Sequence, residues 1–325
     1  MKYTLPQLQE LFKDYLASLR YEQEPKGLYD PINYELDLGG KRLRPLLLML
    51  AYHLYKDDVV RVLPQAAGIE TYHNFTLLHD DVMDKADRRR GKLTVHRFWN
   101  ENTAILSGDA MTILAYKLMT DCDEAHLKSV LNTFNELALG ICEGQQWDMD
   151  FETRSDVTAQ EYLNMIRLKT SVLLAGALKI GAILGDAPEE EAQKLYDFGI
   201  KMGLAFQLQD DYLDVYGDPS VFGKNIGGDI LCNKKTYMLI MALQMADDEQ
   251  RRTIRKWLDA KDYQPAEKIS EMTAVYNNIS VGKICLKKID ELYGEGLQIL
   301  DEVKATEGRK ELLKDFSRQL MKRKL

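Results

Sequence analysis

The sequence predicts an all-α protein, and three observations support this fold class. Apolar residues recur at spacings of three and four rather than two, which is the period of a helix with one buried face. Only 8 prolines occur in 325 residues, and the chain lacks Gly-rich or Ser-rich linkers. No alternating run predicts a strand. We expect one domain over residues 1–325, since helical proteins of this size can share a single core.

The apolar pattern gives the order of the helices along the chain. Breaks are expected at Gly39-Gly40, Arg88–Lys92, Gly185–Pro188 and Gly217–Gly228. The predicted helices cover residues 4–19, 42–55, 63–84, 101–120, 124–149, 158–184, 189–216, 234–246, 248–259, 280–302 and 308–322.

Composition and charge exclude several classes of protein. The net charge of −8 argues against a nucleic-acid partner, because phosphate backbones require a broad basic surface. The longest apolar stretch, Leu46–Leu54, is shorter than the roughly 18 residues of a membrane span. Residues 1–14 lack the apolar block of a signal peptide, and the 4 cysteines form no CxxC pair. We therefore expect a cytoplasmic protein with reduced cysteines and no stable membrane insertion.

An acidic group, the first aspartate cluster, comprises Asp80, Asp81 and Asp84 in the segment LLHDDVMD. Asp80 and Asp84 are four residues apart, and His73 lies seven before Asp80, so these three residues share one helical face. Carboxylates at this spacing repel each other by about 0.2–0.5 kcal/mol, which favours a nearby cation. Carboxylate oxygens without His or Cys partners suit Mg²⁺. A solvated acidic helix end is the alternative, and this cluster alone does not exclude it.

A second aspartate cluster comprises Asp210, Asp211 and Asp214 in the segment FQLQDDYLD. Gln207 shares its helical face. The apolar segment from Phe198 to Leu208 predicts a helix that is buried on most sides. Acidic groups at the end of such a helix are costly unless they are neutralised, so this cluster is expected to line a cavity.

Basic residues accompany both clusters. Arg88–Lys92 follow the first cluster, and Lys224 and Lys234 follow the second. Lys41 and Arg44 are three apart at the start of a predicted helix, where cationic side chains suit a diphosphate. Each basic run alone is consistent with a solvated surface. Taken together, the clusters and the basic runs provide carboxylates that can bind a metal ion and cationic side chains that can bind phosphate.

Two further residues have two interpretations each. Lys169, followed by Thr170, lies between apolar residues and either reaches the surface or faces a polar cavity. His73 is either a hydrogen-bonded buried imidazole or a substrate ligand. His79 beside Asp80 superficially resembles the His-Asp pair of metal-dependent phosphohydrolases, but other histidines with suitable carboxylate neighbours are lacking.

These motifs resemble the trans-isoprenyl diphosphate synthases, or polyprenyl synthetase family, of the short-chain farnesyl and geranylgeranyl type. The resemblance rests on GGKRLRP at 39–45, LLHDDVMD followed by RRG at 77–91, GQQWD at 144–148, KT at 169–170, FQLQDDYLD at 206–214, and GK, GD and K at 223–234. The departures are Leu93, where proline is usual, and a third arginine at Arg88. The resemblance implies an isoprenoid synthase helical bundle around a central cavity, usually a homodimer, with the two clusters facing each other.

The resemblance also implies the ligand sets. Three Mg²⁺ ions would be bound by Asp80, Asp84 and Asp210, with Asp81, Asp211 and Asp214 supporting them through water. The allylic diphosphate would also contact Arg89, Lys169, Lys224 and Lys234, whereas isopentenyl diphosphate would bind without metal to Lys41, Arg44, His73 and Arg90. Thr170 and Gln207 would steady the allylic carbocation through their oxygen dipoles. The predicted catalytic set is thus Lys169, Thr170, Gln207, Asp80 and Asp210.

Product length in this family depends on the residues one turn before the first cluster, which form the floor of the tail cavity. Here Phe75 and Thr76 occupy these positions. A single aromatic residue resembles the archaeal-type geranylgeranyl synthases, so we predict a product of fifteen to twenty carbons, leaning to twenty. Ordinary core packing is the other interpretation of Phe75.

Two other functions compete with this one. A class I terpene cyclase shares the fold and the first aspartate motif, but its second motif is usually of an Asn/Ser/Glu type, whereas DDYLD stands here. A non-catalytic subunit of the family would show degraded aspartate motifs, and both motifs are intact in this sequence.

Overall fold

The computed structural model describes residues 3–218, 226–305 and 307–321, which are almost entirely α-helical. The helices are α1 (Leu5–Ser18), α2 (Lys26–Asp37), α3 (Leu43–His53), α4 (Leu63–Met83), α5 (Val95–Phe98), α6 (Glu101–Met119), α7 (Glu124–Thr153), α8 (Ala159–Ile166), α9 (Val172–Leu184), α10 (Glu189–Tyr216), α11 (Gly228–Leu231), α12 (Tyr237–Met245), α13 (Asp248–Asp259), α14 (Pro265–Ile279), α15 (Val281–Glu302) and α16 (Glu307–Met321). A 3₁₀ turn (Val59–Val62) precedes α4, and a π-helical turn (Arg167–Ser171) joins α8 to α9. The predicted all-α fold class is confirmed. Within the described ranges, no helix is long and apolar enough to cross a membrane.

The sequence pattern missed α2, α5, α11 and α14. In α2, Pro31 lies inside the helix, where it removes a main-chain hydrogen bond, and burial of its neighbour Ile32 favours the helix nonetheless. In α14, Pro265 occupies the first turn, where its missing N–H has no intrahelical partner to lose. The helix predicted over 158–184 is confirmed as a continuous helical segment from Ala159 to Leu184, and the π-helical turn lies within it.

A short hairpin, which the sequence did not predict, lies between α4 and α5. Strand β1 (Arg88–Arg89) pairs antiparallel with β2 (Lys92–Leu93). Arg90 and Gly91 at its tip have φ angles of 52° and 80°, as in the two central residues of a type I′ turn. The turn therefore places Arg89 on a strand and Arg90 at the tip, so that the two side chains leave the backbone in different directions.

The chain contacts define two compact units, each built from three segments. The first unit comprises Met1–Glu136, Gly176–Tyr196 and Lys304–Leu313, and the second comprises Leu137–Ala175, Asp197–Val303 and Lys314–Leu325. The first unit contains the first aspartate cluster and the second unit contains the second. A single domain over 1–325 stays a prediction.

Within the first unit, α4 packs most extensively against α6. His79 of α4 shows how close this packing is: its Nε2 lies 3.1 Å from the Ile105 carbonyl oxygen of α6. A Cβ atom at Gly108 would lie only 2.2 Å from the same imidazole nitrogen. Glycine at this position therefore allows α4 and α6 to approach each other just before Asp80.

Within the second unit, the C-terminal half of α10 forms part of the core. Ala205 and Leu208 are buried in a cluster with residues of α8, α12, α14 and α15. Leu213 is also buried, so the apolar side of α10 packs as the sequence pattern predicted. This packing fixes the rotation of α10 about its axis and thus the direction in which the second aspartate cluster points.

Candidate active site

The first aspartate cluster lies in the last turn of α4, which ends in a Schellman motif. Lys85 adopts a left-handed conformation with φ of 52°, and its N–H donates to the Val82 carbonyl at 3.3 Å. The Ala86 N–H donates to the Asp81 carbonyl at 3.0 Å. The carboxylates therefore meet the negative end of the helix dipole, which makes a cation there more favourable.

The hairpin after α4 brings Arg89 into contact with Asp81. Arg89 Nε donates to Asp81 Oδ2 and Arg89 Nη2 to Asp81 Oδ1, both at 2.8 Å, which is a bidentate ion pair. Asp81 is buried in this pair, whereas Asp80 is partly exposed and Asp84 is exposed. Asp81, the middle aspartate, is thus paired with an arginine, whereas the side chains of Asp80 and Asp84 reach the surface, where an added ligand could contact them.

Arg44 of α3 and His73 of α4 are in contact. Arg44 Nη1 lies 3.0 Å from His73 Nε2, and since a guanidinium can only donate, His73 must accept through a neutral ring. Burial, followed by the charges of the surrounding arginines, lowers the pKa of His73 well below its usual range. The structure therefore brings these two predicted isopentenyl diphosphate ligands together. Lys41 lies two residues before α3, which begins at Leu43, one residue after the predicted start of this helix.

The loop before α3 has an unusual backbone. Gly39, Gly40 and Arg42 have φ angles of 85°, 134° and 49°. Arg42 is held in this strained conformation by an ion pair of 2.5 Å with the buried Glu70 and by donation to the Leu36 carbonyl at 2.6 Å. The Arg90 guanidinium donates to the Gly39 carbonyl and lies next to Gly40. The loop and the hairpin tip are therefore in direct contact.

Glu35 of α2 lies beside this arginine group. Its side chain is fully buried, and neither carboxylate oxygen has a hydrogen-bond partner among the described residues. Burial and the charge of Asp81 raise the pKa of Glu35 to about 7, although the neighbouring arginines oppose that shift.

Phe75 packs between two other rings of α4. Its centroid lies 5.1 Å from that of Tyr72 and 4.8 Å from that of His79. Phe75 also packs against a buried cluster that includes Met111 of α6. The Thr76 hydroxyl donates to the His73 carbonyl at 2.8 Å and so bonds back to its own helix.

The second aspartate cluster lies near the C-terminal end of α10 and so also meets the negative end of a helix dipole. Asp211 is buried, while Asp210 and Asp214 are partly exposed. Asp211 accepts the Tyr162 hydroxyl at Oδ2 and Gln207 Nε2 at Oδ1, the latter at 3.1 Å. Burial, with the charge of Asp229 next, raises the pKa of Asp211.

Lys169 and Thr170 lie in the π-helical turn, a feature that is frequent at functional sites. Lys169 Nζ contacts Asp148 Oδ2 of α7 at 2.6 Å, so Lys169 faces a carboxylate. The Thr170 hydroxyl donates to Gln207 Oε1 at 3.1 Å. A Cβ at Gly144 would lie 2.4 Å from the Lys169 amide nitrogen, so the glycine of GQQWD lets α7 approach the turn.

The loop after α10 contacts the second cluster through Asp214. The Asp229 N–H donates to Asp214 Oδ2 at 3.0 Å, and the Gly227 N–H donates to the Asp214 carbonyl at 2.6 Å. A cavity of 10 Å³, the size of about one water molecule, is lined by residues that include Asp211, Asp229 and Lys234. Lys224, another predicted phosphate ligand, lies outside the described residues.

Sequence reasoning missed four residues that contact the predicted site: Glu35, Glu70, Asp148 and Tyr162. Asp148 lies in the GQQWD motif, and this motif could have identified it as a site residue. Tyr162 lies on an apolar helix and resembles an ordinary core residue in the sequence. Glu35 and Glu70 resemble surface residues, because sequence alone does not show the arginines that surround them.

Comparisons with known proteins agree with this geometry. The polyprenyl synthetase family model matches residues 25–278. The short chain isoprenyl diphosphate synthase of Methanocaldococcus jannaschii is 42% identical over 250 residues, which are 76% of this chain and 76% of that protein. The geranylfarnesyl diphosphate synthase of Natronomonas pharaonis is 42% identical over 245 residues, covering 70% of this chain and 72% of that protein.

A solved crystal structure of a geranylgeranyl pyrophosphate synthase is also similar. It shows 45% sequence identity and a TM-score of 0.94, and the alignment covers 99% of this chain and 100% of that chain. The family model matches well over half of the chain, and the paired aspartate motifs lie within the matched residues. The chain therefore belongs to the polyprenyl synthetase family.

Proposed function

We propose that the chain is a Mg²⁺-dependent short-chain prenyltransferase. It condenses isopentenyl diphosphate with dimethylallyl, geranyl or farnesyl diphosphate and releases diphosphate. The observation that carries the proposal occurs in each unit separately: three aspartates near the C-terminal end of a helix are followed by a loop with basic residues. This arrangement suits a metal-bound anionic leaving group.

The donor atoms fit Mg²⁺. Asp80, Asp84, Asp210 and Asp214 offer carboxylate oxygens on partly or fully exposed side chains. Both oxygens of Asp81 already accept from Arg89, and both oxygens of Asp211 accept from Tyr162 and Gln207. This difference favours supporting roles for Asp81 and Asp211. Direct metal binding by Asp80, Asp84 and Asp210, with Asp214 in a supporting role, follows from the family motifs. Mg²⁺ would supply charge neutralisation for the departing diphosphate.

The cationic side chains divide into two sets. Arg89, Lys169, Lys224 and Lys234 bind the allylic diphosphate together with the metal, whereas Lys41, Arg44, His73 and Arg90 bind isopentenyl diphosphate. The contact between Arg44 and the neutral His73 supports the second set, because the charges of both Arg44 and Arg90 act on the same imidazole. The ion pair between Lys169 and Asp148 holds the lysine on the π-helical turn until a phosphate competes for it.

The chemical step needs no protein nucleophile. The allylic carbon–oxygen bond breaks and its electron pair leaves with the diphosphate. The double bond of isopentenyl diphosphate then forms the new carbon–carbon bond, and the departing diphosphate takes the proton that is lost. Thr170 and Gln207 stabilise the transient carbocation with their oxygen dipoles.

The product has fifteen to twenty carbons, and we favour geranylgeranyl diphosphate. Phe75 supports this choice, since it lies one turn before Asp80 and is held between Tyr72 and His79. Farnesyl diphosphate is the alternative product.

The enzyme acts as a homodimer through α6. Ile105, Leu106 and Ile113 lie on one face of this helix and expose 44%, 60% and 63% of their surface. Ile113→Glu should shift the mass measured by light scattering from dimer to monomer. Val60→Glu, at an apolar residue that is similarly exposed outside α6, is the matched control. A dimer that survives Ile113→Glu contradicts this assignment.

We also place the enzyme in the cytoplasm. Cys122, Cys142, Cys232 and Cys285 are free thiols, as expected in a reducing compartment. Cell fractionation with antibody detection tests this location.

One assay tests the function. The purified chain is incubated with Mg²⁺, labelled isopentenyl diphosphate and each allylic starter, and the dephosphorylated products are separated by chromatography. We expect a labelled prenyl alcohol that disappears when a chelator removes the metal. A cyclic hydrocarbon from the allylic substrate alone would indicate a terpene cyclase, and no labelled prenyl product with any starter would indicate a non-catalytic subunit.

A further inference from the structure

Four side chains of the second unit form one continuous chain of hydrogen bonds. The Tyr162 hydroxyl donates to Asp211 Oδ2, Gln207 Nε2 donates to Asp211 Oδ1 at 3.1 Å, and the Thr170 hydroxyl donates to Gln207 Oε1 at 3.1 Å. This series of hydrogen bonds connects the buried Tyr162 to Gln207 and Thr170, the two residues to which we assign carbocation stabilisation.

The chemistry of each group fixes the direction of this chain. A carboxylate can only accept hydrogen bonds, so Asp211 accepts one from Tyr162 and one from Gln207. The amide of Gln207 can donate only from its nitrogen, so its carbonyl oxygen is turned towards Thr170. The orientation of the Gln207 dipole therefore depends on Asp211, and Asp211 depends in turn on the Tyr162 hydroxyl.

Tyr162 cannot itself contact a substrate. It is 1% exposed and belongs to the core cluster that surrounds the apolar side of α10. Its ring is therefore fixed by packing, and its hydroxyl is fixed at the buried carboxylate.

We propose that Tyr162 is a positioning residue for catalysis: through Asp211 it holds the Gln207 amide, and hence Thr170, in the orientation that stabilises the allylic carbocation. This inference rests on the proposed function. Without the hydroxyl, Asp211 can rotate and the Gln207 amide can turn over, so the dipoles no longer point in a fixed direction. The proposed ligands of isopentenyl diphosphate, Lys41, Arg44, His73 and Arg90, all belong to the first unit and are not altered by this change.

The test is Tyr162→Phe, which removes only the hydroxyl. The matched control is Tyr52→Phe in the first unit, because Tyr52 is also buried and donates to a carboxylate, Asp58 Oδ1, at 2.6 Å. We expect kcat of Tyr162→Phe to fall by roughly tenfold to a hundredfold, as for a small misplacement of catalytic groups. KM for isopentenyl diphosphate should stay within about threefold, and kcat of Tyr52→Phe within about twofold.

A double-mutant cycle with Thr170→Val separates positioning from general loss of structure. If Tyr162 acts through Thr170, the double variant should lose less activity than the product of the two single losses. Circular dichroism confirms that each variant is folded at the assay temperature. A multiplicative loss in the double variant, or a Tyr162→Phe variant that behaves like Tyr52→Phe, would overturn the inference while the wild type remains active. A wild type without prenyl product overturns the proposed function, and the inference with it.

Discussion

The two aspartate clusters share a sequence pattern but are held in different ways. In the first cluster, the middle aspartate Asp81 forms a bidentate ion pair with Arg89. In the second cluster, the middle aspartate Asp211 is also buried, yet its hydrogen-bond donors are the neutral side chains of Tyr162 and Gln207. The middle aspartate of the first cluster thus has a charged hydrogen-bond donor, and the middle aspartate of the second cluster has neutral ones.

This difference has an electrostatic consequence. Burial, with the charge of Asp229 next, raises the pKa of Asp211, whereas the hydrogen bond from Tyr162 and the charge of Lys234 oppose that shift. A metal ion bound at the second cluster would act in the same direction as Lys234 and favour the charged carboxylate.

The strongest test of the comparison removes one accessible carboxylate from each cluster. Asp80→Asn and Asp210→Asn should each lower kcat by about a thousandfold, because a metal ligand contributes several kcal/mol of charge stabilisation. Asp87→Asn is the matched control, since Asp87 is exposed and pairs with Arg97 on the surface. Steady-state rates at several Mg²⁺ concentrations provide the measurement. Full activity in either variant would remove that cluster from the metal site.

The second test concerns the charged partner of Asp81. Arg89→Gln should lower the free energy of unfolding by about 3–5 kcal/mol, because it leaves a buried carboxylate without its cation. Tyr162→Phe should cost only about 1.5–3 kcal/mol, the value of a hydrogen bond to a charged group. Urea denaturation at one pH measures both values.

Arg88→Gln serves as the control for Arg89→Gln. Arg88 lies on the same hairpin, is exposed and donates to the Gly91 carbonyl at 2.9 Å. Its replacement should change the stability by less than about 0.5 kcal/mol. If Arg88→Gln and Arg89→Gln lower the free energy of unfolding equally, the ion pair between Arg89 and Asp81 does not stabilise the fold more than an ordinary surface contact.

The sequence could predict the helical fold and the aspartate motifs because both are local patterns. Helical periodicity identified α4 and α10, and the spacing of their aspartates follows from 3.6 residues per turn. The partners of the middle aspartates could not be predicted in the same way. Tyr162 lies 49 residues before Asp211, and only the packing of the second unit brings the two together.

The predicted helix 42–55 begins one residue later in the structure, at Leu43, for a related reason. The segment GGKRLRP contains good helix formers after its glycines, but Arg42 adopts a left-handed conformation with φ of 49°. The buried Glu70, 28 residues further along the chain, supports this conformation through its ion pair with Arg42. Such a tertiary contact overrides local propensity, and the sequence carries no local sign of it.

A smaller effect is expected at Glu35, which belongs to the first unit alone. The pKa of Glu35 is raised from 4.5 to about 7 in the folded protein, so the unfolded chain releases this proton at lower pH. The contribution of protonated Glu35 to stability is therefore complete below about pH 4.5 and is lost as the pH rises through about 7. The whole change should amount to about 3 kcal/mol.

Glu35→Gln should remove this pH dependence. Urea denaturation between pH 5 and pH 8 should show the wild type losing stability relative to the variant as the pH increases. Asp37→Asn on the same helix is the control, because Asp37 is exposed and pairs with Arg20 at the surface. Parallel pH profiles for the wild type and Glu35→Gln would show that Glu35 does not titrate in this range.

The smallest change in rate, but a change in product, is expected at Phe75. Phe75 lies five residues before Asp80 and packs between Tyr72 and His79, and only the first cluster is predicted to have a floor beneath it. Phe75→Ala should lengthen the product while kcat stays within about threefold, because no group at the diphosphate is altered. Phe98→Ala, at an exposed aromatic residue of the same unit, should leave the product unchanged. Chromatography of the dephosphorylated products measures both outcomes. If Phe75→Ala and the wild type give the same distribution, Phe75 is ordinary core packing and the two clusters differ only in how their middle aspartates are held.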